Sequence, residues 1–172
     1  NKLLNDALMS KNNKTESTEN PMAKAFNFIG YDILSLKEKD IKDYTNNSLL
    51  SLFLKDFNNK IVSSNLYDYN GVLIFKPINV LTKGNLKIAY LSFIASNTQD
   101  SNKEGVYYTK SFLDSYDSIV LSHLSKDKFD LTVFSVEVNS IEEVKILEKF
   151  LSNKKYNIDI VLITGNLSEP IN

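Results

Sequence analysis

Side chains with oxygen donors recur just past a series of short apolar runs. Asn5 and Asp6 follow the first leucine run, and Lys37, Glu38, Lys39 and Asp40 follow Ile33–Leu36. Asn65 follows Ile61–Ser64, Glu137 and Asn139 close Leu131–Val138, and Thr164, Gly165 and Asn166 follow Ile160–Ile163. If those runs are parallel strands, their carboxyl ends share one edge of a sheet, where α/β proteins place their sites. Carboxylates and amides gathered there would suit Mg²⁺, Mn²⁺ or Ca²⁺. They would not suit a zinc centre built on imidazole and thiolate. The chain has no cysteine and one histidine, His123, which falls at helical spacing from Tyr116, Ile119 and Val120 and so reads as lying on or beside a packed helix face. Loops beyond strands are polar in any α/β fold, so this pattern defines an edge before it defines an activity.

The elements that would position these residues alternate along the chain. Residues 10–20 are polar and read as a loop. A helix opens after Asn20, with Pro21 at its first position and Gly30 as its C-terminal stop; Met22, Ala25, Phe26 and Ile29 fall on one face. Residues 31–36 read as a strand. Residues 46–57 read as a helix with Leu49, Leu50, Phe53, Leu54 and Phe57 on one side, and residues 60–63 as another strand. Asn70-Gly71 is a hairpin signal. Residues 86–94 form the most strand-like stretch and are expected to pair with the segment before them, within an antiparallel excursion over 65–94. Residues 97–105 read as a loop. Residues 108–124 read as a helix with Phe112, Leu113, Tyr116, Ile119, Val120 and Leu124 inward, and 130–138 as a strand. Ser140 and Glu143 have capping-box spacing and open a helix that buries Val144, Leu147, Phe150 and Leu151. The last strand is 158–163. The expected fold class is α/β, a mixed sheet core flanked by helices, in one domain over 1–172.

Composition excludes several function classes. Twenty basic residues nearly balance 21 acidic ones, so no strong field favours nucleic acid. Lys126, Lys128, Lys154 and Lys155 read as solvated helix ends. No apolar run approaches the roughly 18 residues of a transmembrane helix. With 42% hydrophobic residues, the chain can bury a core.

Residue by residue, the chain resembles the catalytic domain of the 5′-nucleotidase-type (calcineurin-like) metallophosphoesterases. Gly30-Tyr31-Asp32 match the family's "G-Y-D-A", and Lys37-Glu38-Lys39-Asp40 stand at its "G-N-H-E". Ser64, Asn65, Gly71, Phe75, Lys76, Pro77, Lys87 and Ile88 match the run "S-A-N-L … G … F-K-P-Y … G-G-x-K-I-G-V-I-G". Asn5-Asp6-Ala7-Leu8 resembles the "G-D" motif. Residues 130–139 resemble "D-V-V-I-V-L-S-H-L-G", with Glu137 at the histidine, and residues 158–168 resemble "I-D-V-I-L-G-G-H-T-H", with Gly165-Asn166 near its first histidine. The resemblance implies a partial four-layer αββα sandwich. It also implies that the opening "D-x-H-G" strand would lie before Asn1, and the family's substrate-binding domain beyond Asn172.

The family's chemistry is phosphate-ester hydrolysis at a pair of metal ions, which clamp the phosphate and generate hydroxide. Measured against that, the remnant metal positions here are Asp6, Glu38, Glu137 and Asn166, and only Asp6 keeps the family's ligand type. Lys39 and Asp40 are the phosphate-side remnant, with Lys39 in place of the histidine. The expectation is therefore a degenerate, non-catalytic domain retained for binding or structure, with no cofactor or, if one binds, a divalent Mg, Mn or Ca ion. A lysine turned inward would replace the metal's charge. A protein or a nucleotide would be the ligand, and the family's habit places the chain outside the cytoplasm. The alternatives are a phosphoesterase with an altered, oxygen-rich metal site and a periplasmic substrate-binding-type α/β domain.

Overall fold

The computed structural model describes residues 21–37, 39–40, 57, 60–95, 107–153 and 155–165. The helix expected over 46–57 and the loops at 10–20 and 97–105 lie outside them, apart from Phe57.

Helix α1, Pro21–Ile29, opens on its proline and stops at Gly30, whose φ of +79° is cheap only for glycine. The Phe26 carbonyl accepts from Gly30 N–H (3.0 Å) and Tyr31 N–H (3.4 Å). Its apolar stripe is not the buried face that the spacing predicts. Phe26 packs edge-on against Tyr31 and Phe57, whereas Ala25 and Ile29 are exposed. Spacing aligns such side chains, but only a facing element buries them.

Strands β1 (Leu34–Ser35) and β2 (Ile61–Val62) pair in parallel. β3 (Leu66–Asp68) pairs antiparallel with β6 (Tyr107–Thr109). Just past β3 the expected turn forms at Asn70-Gly71. Asp68 Oδ1 accepts from the N–H groups of Asn70 and Val72, Gly71 takes φ +79°, and Tyr67 faces Leu73 across an antiparallel bridge.

The main sheet has the order β4-β5-β7-β8, from Asn79–Lys83, Leu86–Ile94, Leu131–Glu137 and Ile160–Thr164. β4 and β5 form an antiparallel hairpin, as the sequence suggests. However, β5 is not confined to an antiparallel excursion: it runs parallel to β7 from Ile88↔Leu131 to Ile94↔Glu137, and β7 runs parallel to β8. β4 covers only the first part of β5, as far as Tyr90. Beyond that, Ser64 N–H donates to the Ser92 carbonyl (2.6 Å), and Asn65 bonds Ile94, so the chain leaving β2 takes over where β4 stops. β1 and β2 thus run parallel to each other, and β5, β7 and β8 parallel to one another.

Helices α2 (Phe112–Ile119, continued by a π-helical turn at Val120–Leu124) and α3 (Ile141–Leu151) cover one face of this sheet. Phe112, Tyr116, Ile119, Leu147 and Phe150 pack there on Leu91, Phe93, Phe134 and Val136. The predicted helix start at 108 is corrected: Tyr107, Tyr108 and Thr109 are β-formers and pair with β3. Leu113 and Leu151, expected inward, are each 37% exposed. A second core, on the opposite side of β5, joins Ile94 to Leu36, Phe57, Ile61 and Leu66, with Phe26 of α1 against it. Helices, main sheet, the smaller β1–β2 and β3–β6 pairs, and α1 thus give the mixed α/β layering that the sequence predicts. Among the described residues no helix is long and apolar enough to cross a membrane.

Candidate functional site: the carboxyl edge of the parallel strands

The parallel strands β5, β7 and β8 end on one side of the main sheet, and each described candidate residue follows or ends a strand. Lys37, Lys39 and Asp40 follow β1, Asn65 follows β2, Glu137 ends β7 and Gly165 follows β8. Asp6, Glu38 and Asn166 lie outside the described residues.

Asp40 Oδ2 accepts from the backbone N–H of Lys37 (3.0 Å). That bond closes its own turn, as short aspartate side chains do. Lys39 is exposed rather than turned inward, so it does not supply the expected buried neutralising charge. Glu137 is 7% exposed and stands in register with Ile94 and Thr164; its carbonyl accepts from Ala95 N–H (2.9 Å). Val138 N–H donates to the Thr164 carbonyl (2.8 Å). Gly165 then turns with φ +142°, and a Cβ there would overlap the Val138 carbonyl. Only glycine lets the ends of β7 and β8 lie so close. Glu137 and Gly165 thus stand together at the ends of β7 and β8, while Lys39 and Asp40 follow β1 in the separate β1–β2 pair.

Asn65 is the residue whose role the sequence conceals. It reads as one more oxygen donor past a strand, yet it is fully buried and every polar group of its amide is engaged. Nδ2 donates to the carbonyls of Ile94 (2.8 Å) and Lys110 (2.8 Å), and Oδ1 accepts from Ile94 N–H (3.0 Å). Its own carbonyl accepts from Lys110 N–H (3.0 Å). Ser64 works beside it: Oγ donates to the Pro77 carbonyl (2.6 Å) and accepts from Ser92 N–H (2.9 Å). Together the pair fastens β2 to β5 and to the β6–α2 connection. Lys110, which no sequence motif singles out, is anchored at this edge with Nζ 4.0 Å from the centre of the Tyr67 ring.

The chain's one histidine is elsewhere. His123 sits in the π-helical turn that continues α2 and is exposed, beside the packed face and not on it. Its carbonyl accepts from Lys126 N–H; Asp127 pairs with Lys87 at 3.3 Å, and Asp130 N–H donates to the Lys87 carbonyl. Lys87 is the second residue of β5, so these contacts place His123 at the amino end of the parallel strands, opposite the candidate edge.

Displaced pKa values also fall away from that edge. Lys83, hydrogen-bonded to Asp32 at 2.8 Å, holds the Asp32 carboxyl below its ordinary value. The hydrogen bond to Asp117 holds the Lys155 ammonium above its own. Burial, with smaller contributions from Tyr156, Asp117 and Asp159, pushes Tyr116 up to about 12. These are the marks of surface ion pairs and a packed core.

A pair of metal ions of the phosphoesterase type needs several imidazoles and a carboxylate to bridge them. The described residues do not fit it. Asp40 and Asn65 are engaged in backbone bonds, the imidazole is at the far end, and no group of three or more His, Cys, Asp or Glu among the described residues could hold a metal ion.

No protein-family model and no curated protein matches the chain. Solved structures do. The chain is similar to the calcineurin-like phosphoesterase YfkN from Bacillus subtilis, at 16% identity and a TM-score of 0.61, over 94% of this chain and 51% of that one. It is similar to the sulfate thiohydrolase SoxB from Thermus thermophilus at 14% identity and a TM-score of 0.61, over 82% and 25%. A 5′-nucleotidase from Candida albicans matches at 14% identity and a TM-score of 0.56, over 83% and 28%. The fold is therefore that of the calcineurin-like phosphoesterases and 5′-nucleotidases, rather than that of a periplasmic binding-type domain. At these identities the likeness is one of fold, and the chain spans about half the length of the Bacillus structure and about a quarter of the other two.

Proposed function

We propose that this chain is a phosphoesterase-fold domain without phosphoesterase chemistry, retained for binding or structure. One observation carries the reading: the only histidine lies at the amino end of the parallel strands, while the described positions where the family resemblance implies imidazoles hold Lys39 and Glu137. A lysine can stabilise an anion but is a poor proton donor unless burial lowers its pKa, and Lys39 is exposed. The ligand of such a domain would be a protein or a nucleotide, and the family's habit favours an extracytoplasmic location.

A second reading is favoured by the burial of Glu137 beside the Gly165 turn. Asp6, Glu38, Glu137 and Asn166 would then form an oxygen-rich site for Mg²⁺, Mn²⁺ or Ca²⁺. Hydrolysis of AMP and of an aryl phosphate, assayed with Mg²⁺, Mn²⁺ and Zn²⁺, separates the two. The expected result is no turnover above background; turnover that disappears in Asp6→Ala would establish the second reading instead.

A further inference from the structure

We draw no further inference here: the strongest candidate, strand β8 with Ile160, Leu162 and Ile163 exposed at the rim of the main sheet, is an apolar edge with no further strand beside it among the described residues, and nothing among them shows what covers it.

Discussion

At the scale of single residues, Asn65 and Tyr116 carry the clearest consequences. Truncating Asn65 to alanine would orphan the Ile94 N–H and the carbonyls of Ile94 and Lys110. A buried polar group left without a partner costs ~1–3 kcal/mol, so Asn65→Ala should lose on the order of 3 kcal/mol or more in urea unfolding. Asn65→Asp should do no better despite its similar shape, because its second oxygen would face two carbonyls that need a donor. Equal stability of wild type and Asn65→Asp would disprove the clamp. Tyr116 sets an alkaline limit. Its pKa rises from 10.0 to about 12 on folding, chiefly through burial. Below pH ~10 both states hold the phenolic proton and stability is indifferent to it. Between about 10 and 12 only the unfolded chain releases it, so stability falls as pH rises, by roughly 3 kcal/mol across that range. Tyr116→Phe keeps the ring against Phe93, Phe134 and Phe150 and should show a shallower decline over that range.

At the scale of elements, local signals with a geometric mechanism are legible in the sequence. The capping box is one. Ser140 Oγ accepts from Glu143 N–H (3.2 Å), and the Glu143 carboxylate accepts from Asn139 N–H (2.6 Å). Ser140→Ala should cost ~1 kcal/mol, seen as a lower thermal midpoint with unchanged secondary structure. The Asn70-Gly71 turn and the runs of β5, β7 and β8 are legible for the same reason: a turn needs positive φ, and an apolar run of β-formers needs a sheet. What the sequence leaves open depends on partners far along the chain. Tyr107–Thr109 is a strand because β3 is beside it, and Ala25 and Ile29 of α1 are exposed because no described element packs over them. The parallel placement of β5 comes from pairing with β7, some forty residues on. Asn65 misleads on the same ground, since a polar residue past a strand reads as a ligand until the backbone groups around it are known.

At the scale of the whole molecule, strand pairing builds the edge and the side chains that line it decide what it can do. The backbone brings the ends of β5, β7 and β8 to one edge, and the Gly165 turn holds the ends of β7 and β8 together. Such geometry is set by strand pairing and glycine placement and does not depend on which side chains line the edge. The lining residues decide whether a cation binds, and binding can be read from stability without any turnover. A ligand that binds only the folded chain stabilises it by RT ln(1 + [L]/Kd), ~2.7 kcal/mol at a hundredfold excess over Kd. For a chain of this size, 1 kcal/mol moves the thermal midpoint by ~2–4 °C, so a resident metal at that excess would raise it by ~5–11 °C. On the non-catalytic reading, Mg²⁺, Mn²⁺ and Ca²⁺ should leave the midpoint within ~1 °C of its value in chelator. A larger rise would contradict that reading only if it came from the carboxyl edge, and Glu137→Gln tests this. Glutamine keeps the size and polarity of the buried side chain but removes the charge a hard cation requires. A metal-dependent rise that vanishes in Glu137→Gln, while the variant unfolds as cooperatively as wild type, would make this edge a working oxygen-rich site. A rise that survives the substitution would place the cation elsewhere on the surface and leave the edge as scaffold.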